Sequence, residues 1–292
     1  MGYIYYFFVF VAGTFFGSFI NLVSDRTITG ETILTGRSKC DHCNKPLEPQ
    51  NLVPVLSYFF QKGRCTFCGT KLSLYYPLSE ILSGLLLVYS AIITSLFSNF
   101  SQYTLIMFVY IAVVLYFYLI LFLTDAKYSL LPDKVVFTAI AFVIISLVAI
   151  TTYDLAVYYN QLAGDAFGKY LLQAGLWNYE VIAALKRFIL LFISSFGIAA
   201  FFLFLIYITR GRGMGGGDVK LGLLIGLFNG FPNNILAIFL GFLFGAVYSV
   251  VLMVLKKKGM KDVIPFGPFL IIGSIIAFTW GTEILDWYFN FL

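Results

Sequence analysis

The stretch Arg212-Gly213-Met214-Gly215-Gly216-Gly217-Asp218-Val219-Lys220-Leu221, RGMGGGDVKL, lies between two apolar runs, FISSFGIAAFFLFLIYIT (192–209) and LGLLIGLFNGF (221–231). A carboxylate behind three glycines, at the edge of hydrocarbon-like sequence, sets the reading of the whole chain. Of 292 residues, 60% are hydrophobic and 11% charged, whereas a soluble domain has about 25% charged residues. Apolar surface on this scale cannot be hidden in one soluble core, so the chain is an integral membrane protein whose first partner is the lipid bilayer. The single His removes most His-centred metal and triad chemistry, and nothing points to a nucleic-acid partner.

Working outward from that stretch, uncharged runs long enough to span, about 20 residues, occur at 3–23, 81–101, 103–123, 135–153 and 188–209. The run 221–255 is too long for one helix and is cut by NGFPNN (229–234). A last span starts near Val263, with PFGPF (265–269) at its head. The expected fold is therefore all-α and polytopic, with eight spans. The sixth, near 217–231, is short and glycine-led, as is tolerated where protein or a water cavity satisfies the backbone. The first run has no basic n-region and no A-x-A-like cleavage site, and reads as a retained span.

Lys and Arg orient these spans. Loop 24–76 holds Arg26, Arg37, Lys39, Lys45, Lys62, Arg64 and Lys71; Lys127, Lys134, Arg210, Arg212, Lys220, Lys256, Lys257, Lys258 and Lys261 fall on the same side. Only Lys169, Lys186 and Arg187 fall on the other, a split of sixteen to three. Both termini are then outside, and the domain plan is a first span (1–23), a cytoplasmic insert (24–76) and a membrane core (77–292). The core carries an external insert (154–187), polar at first and then a helix at the interface with Trp177 and Tyr179 as belt residues.

The cytoplasmic insert carries all four cysteines, as Cys40-Asp41-His42-Cys43 and Cys65-Thr66-Phe67-Cys68. Two C-x-x-C pairs suit a tetrahedral zinc ribbon, and reduced cytosolic thiols favour metal over disulfides. Four protein ligands close the site, so such a zinc is structural. His42 reads as a solvated knuckle residue, and Gly69 supplies the small residue that a tight knuckle turn wants.

Two carboxylates fall at the cytoplasmic membrane edge. Asp218 opens a helix behind Gly215, Gly216 and Gly217, where a capping role and a catalytic one are both open. Asp125 ends the run VVLYFYLILFLT, and ionisable groups at such depth tend to be functional. Two carboxyls brought close titrate as a unit, one keeping its proton while the other acts as a base toward a water between them. The glycines would leave room for an extended substrate and for unusual dihedrals. Asp133, after Pro132, is a rival first acid or a helix-start residue, and Lys220 flanks Asp218.

GTFFGSFINLVSDR (13–26), the cysteine insert, YYPLSE (75–80), DAKYSLLPD (125–133), GMGGGDVKL (213–221) and PFGPF (265–269) follow one another in order. Together they resemble the type IV prepilin peptidases, bifunctional membrane aspartic proteases and N-methyltransferases of the GxGD group found in pilus, type II secretion and competence systems of bacteria. The resemblance implies that Asp125 and Asp218 are the catalytic acids. It implies cleavage of prepilin or pseudopilin precursors after a Gly, followed by methylation of the new amino group from S-adenosylmethionine. It places the enzyme in the bacterial inner membrane and assigns methylation to the amino-terminal half, where Glu80 is the candidate cofactor residue beside its reading as a first-turn acid favoured by the helix dipole. Tyr75 stands where the family commonly has Arg. Gly17, Ser18 and Asn21 share one face of the first span and read as helix-packing residues. The alternative to the peptidase is an ion- or proton-coupled transporter using the two acids as a relay.

Overall fold

The computed structural model describes residues 2–32, 38–40, 42–211, 213–256 and 264–291. Arg37, Arg212, Lys257, Lys258, Lys261 and Val263, used above for orientation and for placing the last span, lie outside the described residues. Helices form nearly all of the rest: α1 (Gly2–Thr29), α2 (Leu56–Phe60), α3 (Tyr75–Ile93), α4 (Gln102–Tyr128), α5 (Asp133–Ala163), α6 (Ala166–Gln173), α7 (Leu176–Thr209), α8 (Gly216–Asn229), α9 (Asn233–Val254) and α10 (Gly267–Phe291). Among the described residues seven of them, α1, α3, α4, α5, α7, α9 and α10, are long and apolar enough to cross a membrane. The chain is a multi-pass membrane protein. The glycine-led α8 has 14 residues, about 21 Å of helix against a hydrocarbon thickness of about 30 Å.

Helix ends depart from the apolar runs, because hydropathy marks where apolar residues stop and not where backbone hydrogen bonding stops. Helix α1 runs on through Asp25 and Arg26 to Thr29. Helix α3 starts at Tyr75 rather than at 81, with Pro77 in its first turn, where a missing N–H costs nothing. The segment 154–187 is mostly helical. Helix α5 continues to Ala163, α6 fills most of the gap, and Trp177 and Tyr179 lie in the first turns of the 34-residue α7.

The chain divides into two compact units, Met1–Val135 and Val136–Leu292, a division later in sequence than the expected boundary after residue 76. In the first unit, α1, α3 and α4 pack together. Glycines on α1 permit the close approach: a Cβ on Gly13 would lie 2.7 Å from the Gly84 Cα, and one on Gly17 would lie 2.7 Å from the Glu80 Cα. Gly13 and Gly17 form a small-xxx-small pair of the kind that lets membrane helices touch through their backbones. The Ser83 hydroxyl donates to the Gly13 carbonyl (2.7 Å) and the Ser79 hydroxyl to Asn21 Oδ1 (2.7 Å). The packing reading of the Gly17 face is what the structure contains.

In the second unit, α7 packs on α8 and α9 on α10. Gly226 allows the same closeness, a Cβ there lying 2.7 Å from the Ser195 Cα. Side-chain amides tie the bundle: Asn229 Nδ2 donates to Ser274 Oγ (2.6 Å) and Asn234 Nδ2 to Ser194 Oγ (2.9 Å). Hydrogen bonds of this kind between membrane helices are worth about 0.6 kcal/mol on average.

Candidate functional site

The insert brings the four cysteines together. Sγ atoms of Cys40, Cys43, Cys65 and Cys68 all lie within 4.8 Å of one another, and those of Cys40 and Cys68 are 4.0 Å apart. Zinc–sulfur bonds of about 2.3 Å at tetrahedral angles put sulfurs about 3.8 Å apart, so after a small contraction these four thiolates could hold a metal ion. Two matching knuckles build it. The Cys40 N–H donates to the Lys45 carbonyl (3.0 Å) and the Cys65 N–H to the Thr70 carbonyl (2.9 Å). The residue after each second cysteine turns left-handed, Asn44 at φ 55° and Gly69 at φ 70°. Gly69 therefore supplies a conformation as well as small size, and Asn44 is its counterpart, legible from Asn being the other residue that tolerates this region. Hydrogen bonds from the Thr70 hydroxyl and backbone pull the Cys68 thiol down to about 6. The Cys43 hydrogen bond lowers Cys40. A backbone bond at Lys45 lowers Cys43 too, but burial and the neighbouring thiols outweigh it and push Cys43 up to about 11. A bound cation would resolve this competition by deprotonating all four. His42 is exposed and outside the cluster.

Glu80 lies in the second turn of α3, not its first, so the helix-dipole reading does not hold. The cause is the earlier helix start at Tyr75. Its side chain is buried against α1, and its Oε2 accepts a 2.7 Å hydrogen bond from the Val55 N–H of the insert.

Asp125 is in the last turn of α4, only 6% exposed, beside the fully buried Thr124. The turn is closed by the left-handed Ser129 (φ 53°), whose N–H donates to the Asp125 carbonyl at 2.8 Å. Two residues on, Lys127 Nζ donates to Asp25 Oδ1 (2.8 Å), which also accepts from the Tyr128 hydroxyl (2.8 Å). The ammonium lies 5.0–5.7 Å from the ring centres of Tyr75, Tyr76 and Tyr128. Tyr75, at the family's Arg position, is thus part of an aromatic seat for a lysine. The sequence showed Lys127 only as a loop charge, since its partner is 102 residues away.

Asp218 is the third residue of α8, and its Oδ2 accepts from the Gly215 N–H (3.2 Å). The capping geometry is present. The glycines are not needed for unusual dihedrals. Gly215 has an ordinary extended backbone (φ −88°, ψ 156°), and Gly216 and Gly217 are helical. Space is what Gly215 and Gly216 provide: a Cβ on Gly216 would meet nothing within 4 Å, and one on Gly215 nothing closer than 3.8 Å. Lys220 sits over the Phe137 ring at 5.2 Å. Asp133 is exposed at the first position of α5. Asp125 and Asp133 belong to the first unit and Asp218 to the second.

Two family sequence models match the chain. The one described as Bacterial Peptidase A24 N-terminal domain covers residues 11–94, and the one described as Type IV leader peptidase family covers residues 112–250. Proteins named prepilin leader peptidase/N-methyltransferase are similar over most of this chain. That of Bacillus subtilis is 28% identical over 96% of this chain and 96% of its own. That of Aeromonas salmonicida is 28% identical over 88% and 76%, and that of Pseudomonas aeruginosa 29% over 87% and 75%. No solved structure matches the chain significantly.

Proposed function

The chain belongs to the type IV leader peptidase family, and on that premise we propose that it is an aspartic endopeptidase of the bacterial inner membrane. It cleaves the leader from prepilin or pseudopilin precursors after a glycine and N-methylates the amino group so exposed. The observation that carries the proteolytic part is Asp125, a carboxylate buried at the end of a long apolar helix, where an acid without a task is costly.

In this proposal Asp125 and Asp218 meet and share one proton. The ionised one takes a proton from water, whose oxygen attacks the scissile carbonyl. The other protonates the departing nitrogen, so one water is added across the bond. The open space beside Gly215 and Gly216 receives the extended precursor, and Gly217, Lys220 and Asp133 help shape the site. The excess of Lys and Arg puts the cysteine insert in the cytosol and the outer ends of α1 and α10 on the other side. The four cysteines hold a structural zinc. S-adenosylmethionine, when bound, supplies the methyl group for the freed amine. Family membership does not favour the transporter alternative.

The test is a mass measurement on a co-expressed prepilin, which reports leader loss and methyl gain together. Asp125→Asn and Asp218→Asn should each leave the precursor intact while the enzyme remains in the membrane. Full processing by either variant would remove the aspartic mechanism.

A further inference from the structure

The cysteine insert exposes an apolar stretch that a water-soluble domain would hide. Between Glu48 and Lys62 it carries no charge, PQNLVPVLSYFFQ (49–61). Leu52, Val53, Leu56, Phe59 and Phe60 are all exposed there, Phe59 by 68% and Phe60 by 81%. Apolar side chains gathered on a surface in this way mark a face that meets a partner.

Helix α2 (Leu56–Phe60) shows which way that face points. Leu56, Phe59 and Phe60, spaced i, i+3 and i+4, share one side of it, and that side is outward. Ser57, Tyr58 and Gln61 turn the other way, to a cavity of about 270 Å³ between the insert, α1 and the start of α3. The polar side is inside and the apolar side outside, the reverse of a helix on the surface of a water-soluble domain.

Depth follows from one hydrogen bond. Helix α3 has 19 residues, about 28 Å of helix against a hydrocarbon thickness of about 30 Å, so it needs nearly its whole length to span. Glu80 is its sixth residue, about 8 Å along the axis from Tyr75. The Glu80 carboxylate, hydrogen-bonded also with Ser18 of α1, accepts from the Val55 N–H at 2.7 Å. Val55 is therefore held level with the second turn of a spanning helix. It is the tip of a tight turn, with φ 62° and a 2.6 Å bond from the Leu56 N–H to the Pro54 carbonyl, a shape that a β-branched residue keeps only where its surroundings hold it. Near this level α3 exposes Leu78 and α1 exposes Phe19, side chains of helices that run through lipid. The apolar patch of the insert continues that surface. Just past α2 come Lys62 and Arg64, both exposed, cations of the kind that lay their stems on apolar surface and reach phosphates.

We propose that α2 and the turn before it form a wedge that enters the bilayer at the boundary of headgroups and acyl chains, in the leaflet where α3 begins. Leu56, Phe59 and Phe60 lie among the acyl chains, and Lys62 and Arg64 meet the phosphates. The insert then faces water at its cysteine knuckles and lipid at its other end. Phospholipid is the partner that covers the outer side of α2, and Glu80 fixes how deep the wedge goes.

Tryptophan fluorescence of the full-length protein in phospholipid vesicles tests this. Trp177, Trp280 and Trp287 are first replaced by Phe. Single reporters are then placed as Phe60→Trp, as Phe59→Trp and, for calibration, as Phe15→Trp, which is exposed near the middle of α1. Unfolding midpoints close to that of the parent confirm that each reporter is folded. Phe60→Trp and Phe59→Trp should each lose about half of their emission or more to phospholipids brominated near the headgroup, less to phospholipids brominated deep in the chain, and little to aqueous iodide, as an interfacial wedge about 5–10 Å deep requires. Phe15→Trp should show the opposite order for the two brominated lipids. Strong quenching of both insert reporters by iodide, with no effect of brominated lipid, would overturn the wedge by placing α2 in water. Protection from both iodide and brominated lipid would overturn it too, because protein and not lipid would then cover this face.

Discussion

A methyl group added at Gly17 tests how α1 and α3 position the cavity. The Cβ of Gly17→Ala would lie 2.7 Å from the Glu80 Cα and 2.8 Å from the Ser83 Cβ. The first of these is backbone and cannot rotate aside, so the helices must separate. Overpacking of a close-packed contact costs about 1–3 kcal/mol, and a backbone obstacle places it near the top of that range. Replacing Gly by Ala within a helix returns about 1 kcal/mol. The net expectation is a loss of about 2 kcal/mol, or about thirtyfold in the folded-to-unfolded ratio. Gly216→Ala is the internal comparison, because its Cβ would meet nothing within 4 Å and its stability should match or slightly exceed wild type. Unfolding in detergent micelles measures both. Gly17→Ala should also lower methylation, since Glu80 moves with α3, whereas Gly216→Ala should lower cleavage by filling space proposed for the precursor. Equal stability of Gly17→Ala and wild type would show that the helices do not touch through these backbones.

Three further outcomes follow from single contacts. Removing the metal with a chelator, or replacing Cys40 and Cys68 by Ser, should lower methylation more than cleavage in the same preparation; an equal fall in both would argue that the insert also supports proteolysis. A double-mutant cycle of Asp25→Ala and Lys127→Ala should give a coupling of about 1 kcal/mol, reflecting a partly exposed ion pair reinforced by ring faces, with additivity as the refuting result. Ser79→Ala should destabilise by about 1–3 kcal/mol, since it leaves Asn21 with an unmade buried acceptor, and unchanged unfolding would deny that bond any weight.

What was legible in the sequence is what depends on local chemistry. Apolar runs are properties of a 20-residue window, so the spans of the first unit, the short α8 and the break at NGFPNN could be read directly. Ligand spacing is equally local: two C-x-x-C pairs predicted the cluster, and Gly69 predicted half of its turn geometry. Order along the chain carried the family.

Helix ends were less legible, because hydropathy is silent about backbone hydrogen bonding once residues turn polar. Residues 154–187 read as polar first and helical later, and helix covers most of both parts. Glu80 was found by its motif, but its burial, its bond to Val55 across 25 residues and the cavity beside it were fixed by how α1, α3 and the insert pack. The same holds for Asn21 with Ser79, 58 residues apart, and for Asp25 with Lys127, 102 apart. The sequence alone determined which segments leave water and which residues could hold a metal. Only tertiary structure decided which buried polar groups find partners and which are left facing a cavity, because that depends on close approach between segments that no local window contains.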